Sequence, residues 1–184
     1  MNPVRRLYQL RVSLDRIEPA IWRRLLVPST ITLRGLHGLI QKSMGWNASH
    51  RHWFQQDGRQ FGRPDPEGDK YFEDDVRIRL GSMLSAPGDK LEYQYDFGDS
   101  WRHTIVLEEI LAADGAGARC IAGARACPPE DCGGIHGYHD FLSAVLNPYH
   151  PKHRERLEWA GGPFDPEAFD LDAANRRIGA TRKV

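Results

Sequence analysis

Between residues 8 and 15 the chain alternates strictly, with Tyr8, Leu10, Val12 and Leu14 on one side and Gln9, Arg11, Ser13 and Asp15 on the other. A two-residue period of this kind predicts a half-buried strand. Glu18-Pro19 interrupts it, and a second strand over residues 21–27, carrying Arg23 and Arg24, stops at Pro28. The period then lengthens. Leu33, Leu36, Ile40 and Met44 recur at helical spacing, with Thr32 placed as an N-cap and Gly45 as the stop. His37 falls on the same apolar stripe and reads as a core histidine. A strand-like run over residues 50–56 closes at Asp57-Gly58, a pair that favours a tight hairpin turn. Residues 62–75, rich in Gly, Pro and Asp, read as a long loop.

The strongest β pattern lies further on. Leu91, Tyr93, Tyr95 and Phe97 alternate with polar residues, and so do Trp101, His103, Ile105 and Leu107. Opposed residues in a hairpin share a face, so a three-residue loop, Gly98-Asp99-Ser100, keeps the aromatic sides matched. That register sets Phe97 against Trp101, Tyr95 against His103, Tyr93 against Ile105, and Asp96 against Arg102. After a flexible Ala/Gly stretch (112–118) and a cysteine segment, the remaining pattern is helical. Tyr138, Phe141, Leu142 and Val145 form one stripe, Pro151 suits a first helical turn, and Asp170 caps a last helix bearing Leu171, Ala174 and Ile178. Strands first and helices last predict an α+β fold: an antiparallel sheet with helices packed on one side and a helical C-terminal third.

Length and charge narrow the functional range. A chain of 184 residues forms a core without a disulfide or metal staple, and we expect one domain over residues 1–184. Lys+Arg and Asp+Glu both number 25, so no bulk charge favours nucleic acid or a membrane surface. Cys120, Cys127 and Cys132, odd in number and clustered, do not make a secreted disulfide framework. The basic start leads into alternation rather than an apolar run, so neither a signal peptide nor a membrane span is expected. The expected setting is the cytoplasm, and the expected partner a protein or a small molecule.

Several segments together resemble the plasmid pRiA4b ORF-3-like family. They are Tyr8 to Leu14 followed by Pro19-Ala20-Ile21-Trp22-Arg23-Arg24, then Met44-Gly45-Trp46 with His50-Arg51-His52. Later come Asp96-Phe97-Gly98-Asp99-Ser100-Trp101-Arg102-His103, Ala126-Cys127-Pro128-Pro129-Glu130-Asp131-Cys132-Gly133-Gly134, and Phe164-Asp165-Pro166-Glu167-Ala168-Phe169-Asp170. The resemblance implies a bacterial or archaeal protein of unknown activity, some relatives bearing a transposon-resolvase label. It carries a fold expectation and no mechanism.

The resolvase label can be weighed on the residues. Arg11-Val12-Ser13 matches the strand on which serine recombinases carry their nucleophile. Such a serine needs several arginines around the phosphate and a basic DNA-binding helix, and neither pattern is present. Ser13 reads instead as the polar face of a strand. A zinc-type site is a second reading, with His50 and His52 two apart on a strand and Cys127 and Cys132 four residues separated, His136 and His139 following. A metal-dependent hydrolase or nuclease would hold its ion with His50, His52 and nearby carboxylates. The third and preferred reading is a non-enzymatic binding or interaction module. Its candidate cleft comprises His50, His52, Trp53, Asp96, Asp99, Trp101, His103, Glu130 and Asp131, placed at turns and strand ends. For Trp101 and His103 the alternative is core packing, and for Asp99 a turn bonded to its own backbone. For Glu130-Asp131 it is capping of the helix over residues 138–146.

Overall fold

The first strand, β1 (Arg6–Leu14), lies antiparallel between β2 (Trp22–Pro28) and β7 (Trp101–Ala112). The computed structural model describes residues 6–64 and 72–179, so residues 65–71 of the expected long loop lie outside the described residues. Around that trio are β3 (His52–Gln56), β4 (Arg59–Gly62), β5 (Glu73–Asp74), β6 (Lys90–Tyr95) and β8 (Arg119–Ala124). Together they form one eight-stranded sheet in the order β5-β4-β3-β6-β7-β1-β2-β8. The helices are α1 (Leu33–Met44), α2 (Gly134–Leu146), α3 (His153–Trp159) and α4 (Leu171–Gly179).

The fold is α+β, with two corrections to the expected architecture. The sheet is mixed, because β5 runs parallel to β4. A parallel neighbour needs a connection long enough to return to the starting end, and the Gly/Pro-rich segment after Gly62 supplies that length. The C-terminal third is not continuously helical, since irregular segments at 147–152 and 160–170 separate α2, α3 and α4. Just before it, β8 occupies a stretch whose Ala and Gly residues gave no strand signal.

The hairpin also differs from its expected register. Tyr95 faces Trp101, Tyr93 faces His103, Leu91 faces Ile105, and Gln94 faces Arg102. The connection is therefore five residues, 96–100, not three. Asp96 and Ser100 both take positive φ (57° and 58°), which ends β6 at Tyr95. The Asp96 N–H turns to the Arg51 carbonyl, and the Ser100 N–H to the Asp96 carbonyl. A slip of two leaves every side chain on its original face, so alternation alone could not separate the registers. Phe97 is the casualty: it leaves the ladder and lies at the surface, beneath the Arg51 guanidinium.

The inward faces of β1, β6 and β7 and the apolar stripe of α1 share one core, with Leu10, Val12, Leu36, Ile40, Tyr93, Ile105 and Leu107 among its members. Thr32 caps α1 by accepting from the Gly35 N–H at 3.1 Å, a contact worth about 1 kcal/mol. Gly45 ends it in the left-handed region, at φ 99°. Asp57-Gly58 forms the two-residue turn between β3 and β4, both residues at positive φ. At the far end of the sheet, Asn175 of α4 bonds both the N–H and the C=O of Cys120 on β8, each at 2.9 Å.

One buried side chain locks the segment leading to the site. Arg23, 2% exposed, donates to the carbonyls of Ser43, Trp22, Ala124 and Arg125 at 2.8–3.0 Å and lies over the Phe169 ring. Among the described residues no carboxylate shares these bonds. The guanidinium fork has five donors, and it joins the end of α1 to the chain leaving β8.

Candidate functional site

Three segments meet at one end of β3 and β6: residues 46–51 after α1, the 96–100 connection, and the Pro-Pro-Glu-Asp turn before α2. Trp46 Nε1 donates to the Pro128 carbonyl at 2.9 Å, and the Asn47 N–H to Glu130 Oε1 at 2.8 Å. Tyr95 Oη donates to the same carboxylate, 3.1 and 3.2 Å from its two oxygens. Asp99 Oδ2 accepts from the Gly133 N–H at 3.1 Å, and a Cβ on Gly134 would stand 2.6 Å from the Asp99 carbonyl. The connection and the start of α2 are thus in direct backbone contact.

This junction brings His50, Asp96 and Asp131 together. His50 Nε2 lies 2.9 Å from Asp131 Oδ1 and 3.7 Å from Asp96 Oδ2. Among the described residues this is the group of three histidine, cysteine or acidic side chains close enough to share an ion, one ligand atom from each within 4.8 Å. Asp96 and Asp131 both sit at φ 57°, a conformation that aspartate tolerates better than most residues.

Beneath lies a second polar cluster of different character. The His37 and His52 rings stack at 3.5 Å, nearly parallel. His52 Nε2 is 2.8 Å from Asp75 Oδ2, and Arg34 holds the same carboxylate through Nη2 at 2.7 Å. Burial alone would push the Asp75 carboxyl up, but the hydrogen bonds from His52 and Arg34 outweigh it and hold it below the usual range. Ionised Asp75 therefore takes the proton-bearing Nε2 of His52. Gln41 Nε2 donates to Tyr93 Oη, which leaves the phenol proton for His37 Nδ1 at 2.8 Å. His37 is an acceptor there and stays neutral: burial, reinforced by the neighbouring His52, lowers it to about 3. Above this cluster opens a pocket of about 270 Å³, lined by Arg34, His37, His50, Arg51, His52 and Arg63 among others.

The nine residues of the expected cleft are only partly gathered. His50, Asp96, Asp131 and Glu130 meet at the junction, and His52 lies one layer below. Trp101 and His103 are each 1% exposed and face the core, with Trp46 edge-on to His103. Burial drops His103 to about 4, its Nδ1 directed at the Trp101 carbonyl at 3.1 Å. Trp53, adjacent to His52 on β3, points to the opposite face, beside Arg102 and Thr104. Asp99 bonds the Gly133 N–H rather than its own loop. Glu130 and Asp131 do not cap α2, because the helix starts at Gly134 and both carboxylates face Tyr95, Asn47 and His50 instead.

The expected zinc-type set disperses as well. Cys127 and Cys132 do not join His50 and His52 in one group. Burial pushes both thiols up, Cys132 to about 12 with Asp99 and Asp131 adding to the effect, so ionising either as a metal ligand is costly. His136 and His139 stand exposed on α2. Sequence reasoning missed Arg34, Arg51, Arg63 and Asp75. Arg34 lies on the polar side of α1, and Asp75 in a segment without period, so neither carried a signal.

A mixed sheet of this order, with its polar groups gathered where α1, the hairpin connection and the Pro-Pro-Glu-Asp turn converge, defines a class. The family described as plasmid pRiA4b ORF-3-like protein matches residues 6–173, and the chain belongs to it. Among its relatives is the uncharacterized protein y4hQ of Sinorhizobium fredii (strain NBRC 101917 / NGR234). It is 39% identical over 173 residues, covering 92% of this chain and 89% of that protein. The crystal structure of a protein of unknown function, MM3350 from Methanosarcina mazei Go1, superposes with a TM-score of 0.82 at 33% identity. The match covers 94% of this chain and 98% of that one. Neither description names a ligand or a reaction. Among the described residues no helix is long and apolar enough to cross a membrane.

Proposed function

We propose that the chain is a binding module whose pocket over α1 and β3 receives a small anionic ligand, a phosphate or carboxylate group. The pocket wall carries the reading: three guanidinium and three imidazole groups around about 270 Å³, with the Asp75 carboxylate wholly buried beneath them. Asp75 holds Arg34 through Nε and Nη2 and fixes His52 beside it, so the rest of the Arg34 guanidinium is preorganised without presenting a negative surface to the ligand. The volume fits one anionic head group rather than an extended molecule.

The test is a thermal-shift and calorimetric titration with inorganic phosphate and short dicarboxylates, run on wild type and an Arg51→Ala/Arg63→Ala variant. Wild type gains roughly 5–10 °C near a hundredfold excess of anion over Kd, the gain mass action gives for a domain of this size. The double variant gains nothing, and added chloride erodes the wild-type response. No shift with any anion, or an equal shift in the variant, overturns the reading.

A further inference from the structure

From the geometry we infer that His50 Nε2, Asp96 Oδ2 and Asp131 Oδ1 form a binding site for a divalent transition ion, Zn²⁺ in first place. The inference does not depend on the anion pocket. It rests on where two side chains point.

Asp96 is the first. Its side chain is only 10% exposed, and its Oδ1 accepts from the Gly98 N–H at 2.8 Å. Its Oδ2 turns toward His50 at 3.7 Å, beyond hydrogen-bond range. Asp96 and Asp131 each place an oxygen within 4.8 Å of the other and of His50 Nε2, and two carboxylates that close favour a cation between them. His50 Nε2 is the second. It is screened from solvent and makes no properly directed hydrogen bond. Asp131 Oδ1 is near enough at 2.9 Å, but it lies off the direction of the ring nitrogen, so this contact is an ion pair by distance and not a hydrogen bond by angle.

The spacing suits an ion. Two ligands each about 2.0–2.1 Å from a tetrahedral Zn²⁺ stand roughly 3.3 Å apart. The observed 2.9 and 3.7 Å fall on either side of that value. Asp131, with 68% of its side chain exposed, can make the remaining adjustment at little cost. One imidazole and two carboxylates are a borderline donor set that favours Zn²⁺ or Mn²⁺ over Ca²⁺, which wants six or more oxygens. Three protein ligands leave one position for water or an incoming group. The site differs from the expected cysteine–histidine set in all but His50.

Calorimetric titration of ZnCl2 into chelator-treated full-length protein tests it. One equivalent binds to wild type, and His50→Ala and Asp96→Asn each weaken binding at least tenfold. Asp96→Asn keeps the oxygen that accepts from Gly98, so it separates lost ligation from lost loop structure. A Cys127→Ser/Cys132→Ser variant binds as wild type does, and the Co²⁺-substituted protein shows no thiolate charge-transfer band. The inference is overturned if neither Zn²⁺ nor Mn²⁺ binds at millimolar concentration. It is equally overturned if binding survives in both His50→Ala and Asp96→Asn, or disappears in the cysteine variant.

Discussion

The inner and outer histidines of this protein face different surroundings, aromatic rings and structural partners inside and two carboxylates at the rim. His37, His52 and His103 lie within the core: Tyr93 partners His37, Asp75 partners His52, and the Trp101 carbonyl meets His103 Nδ1, while His103 Nε2 is enclosed without a hydrogen-bond partner among the rings of Trp46 and Tyr93. His50, one strand residue-pair away from His52, has a nitrogen shielded from water and directed at no donor or acceptor. Inside, the imidazoles complete a structure. At the rim, an imidazole nitrogen and two carboxylates converge without satisfying one another, and that surplus is what the proposed ion would answer.

The contrast can be broken most forcefully from within. Asp75→Ala leaves His52 and Arg34 facing an empty place, and breaking such a buried pair costs about 4 kcal/mol. Urea unfolding of the variant against wild type measures it, and a loss under about 1 kcal/mol would show that the inner cluster holds little of the fold. Acid gives the next largest effect. The unfolded chain protonates its histidines near pH 6.5, whereas folded His37 and His103 resist until about 3 and 4. The unfolded state therefore binds more protons across this window, and stability present above pH 6.5 is lost as pH falls. Between pH 7 and 5 the fall is roughly 4 kcal/mol, read from denaturant midpoints, and His37→Gln makes the slope shallower. Smallest is the rim itself. In metal-free buffer Asp131→Asn shifts stability by less than about 0.5 kcal/mol, because an exposed ion pair contributes little. A large loss there would move Asp131 to the structural side of the comparison.

Much of the sheet and of α1 was legible because period and burial agree there. Tyr8 to Leu14, the Thr32 and Gly45 ends of α1, and the Asp57-Gly58 turn follow from local chemistry. The hairpin faces were readable but its register was not, since a shift of two preserves the alternation and only the positive φ at Asp96 and Ser100 decides. β8 escaped notice because Ala122, Gly123 and Ala124 carry no alternation; their pairing with β2 supplies what composition withholds. At the site, His50, Asp96 and Asp131 stood out as chemistry at turns, yet nothing in the sequence set them apart from Trp101 and His103. Three chain segments far apart in sequence had to fold before that division existed. Arg34 and Asp75, separated by forty-one positions, show the same limit.

The bonds from Asn175 to Cys120 have a consequence beyond holding α4 in place. β8 is the last strand on its side, and a terminal strand with unpaired peptide groups is a template for another chain. Asn175 mimics a neighbouring peptide, offering an acceptor and a donor to the same residue, so the ladder is finished within the molecule. A chain cut short of Leu171 would lose that stop and present β8 to its own kind, turning an edge closed at Cys120 into one that recruits copies of itself.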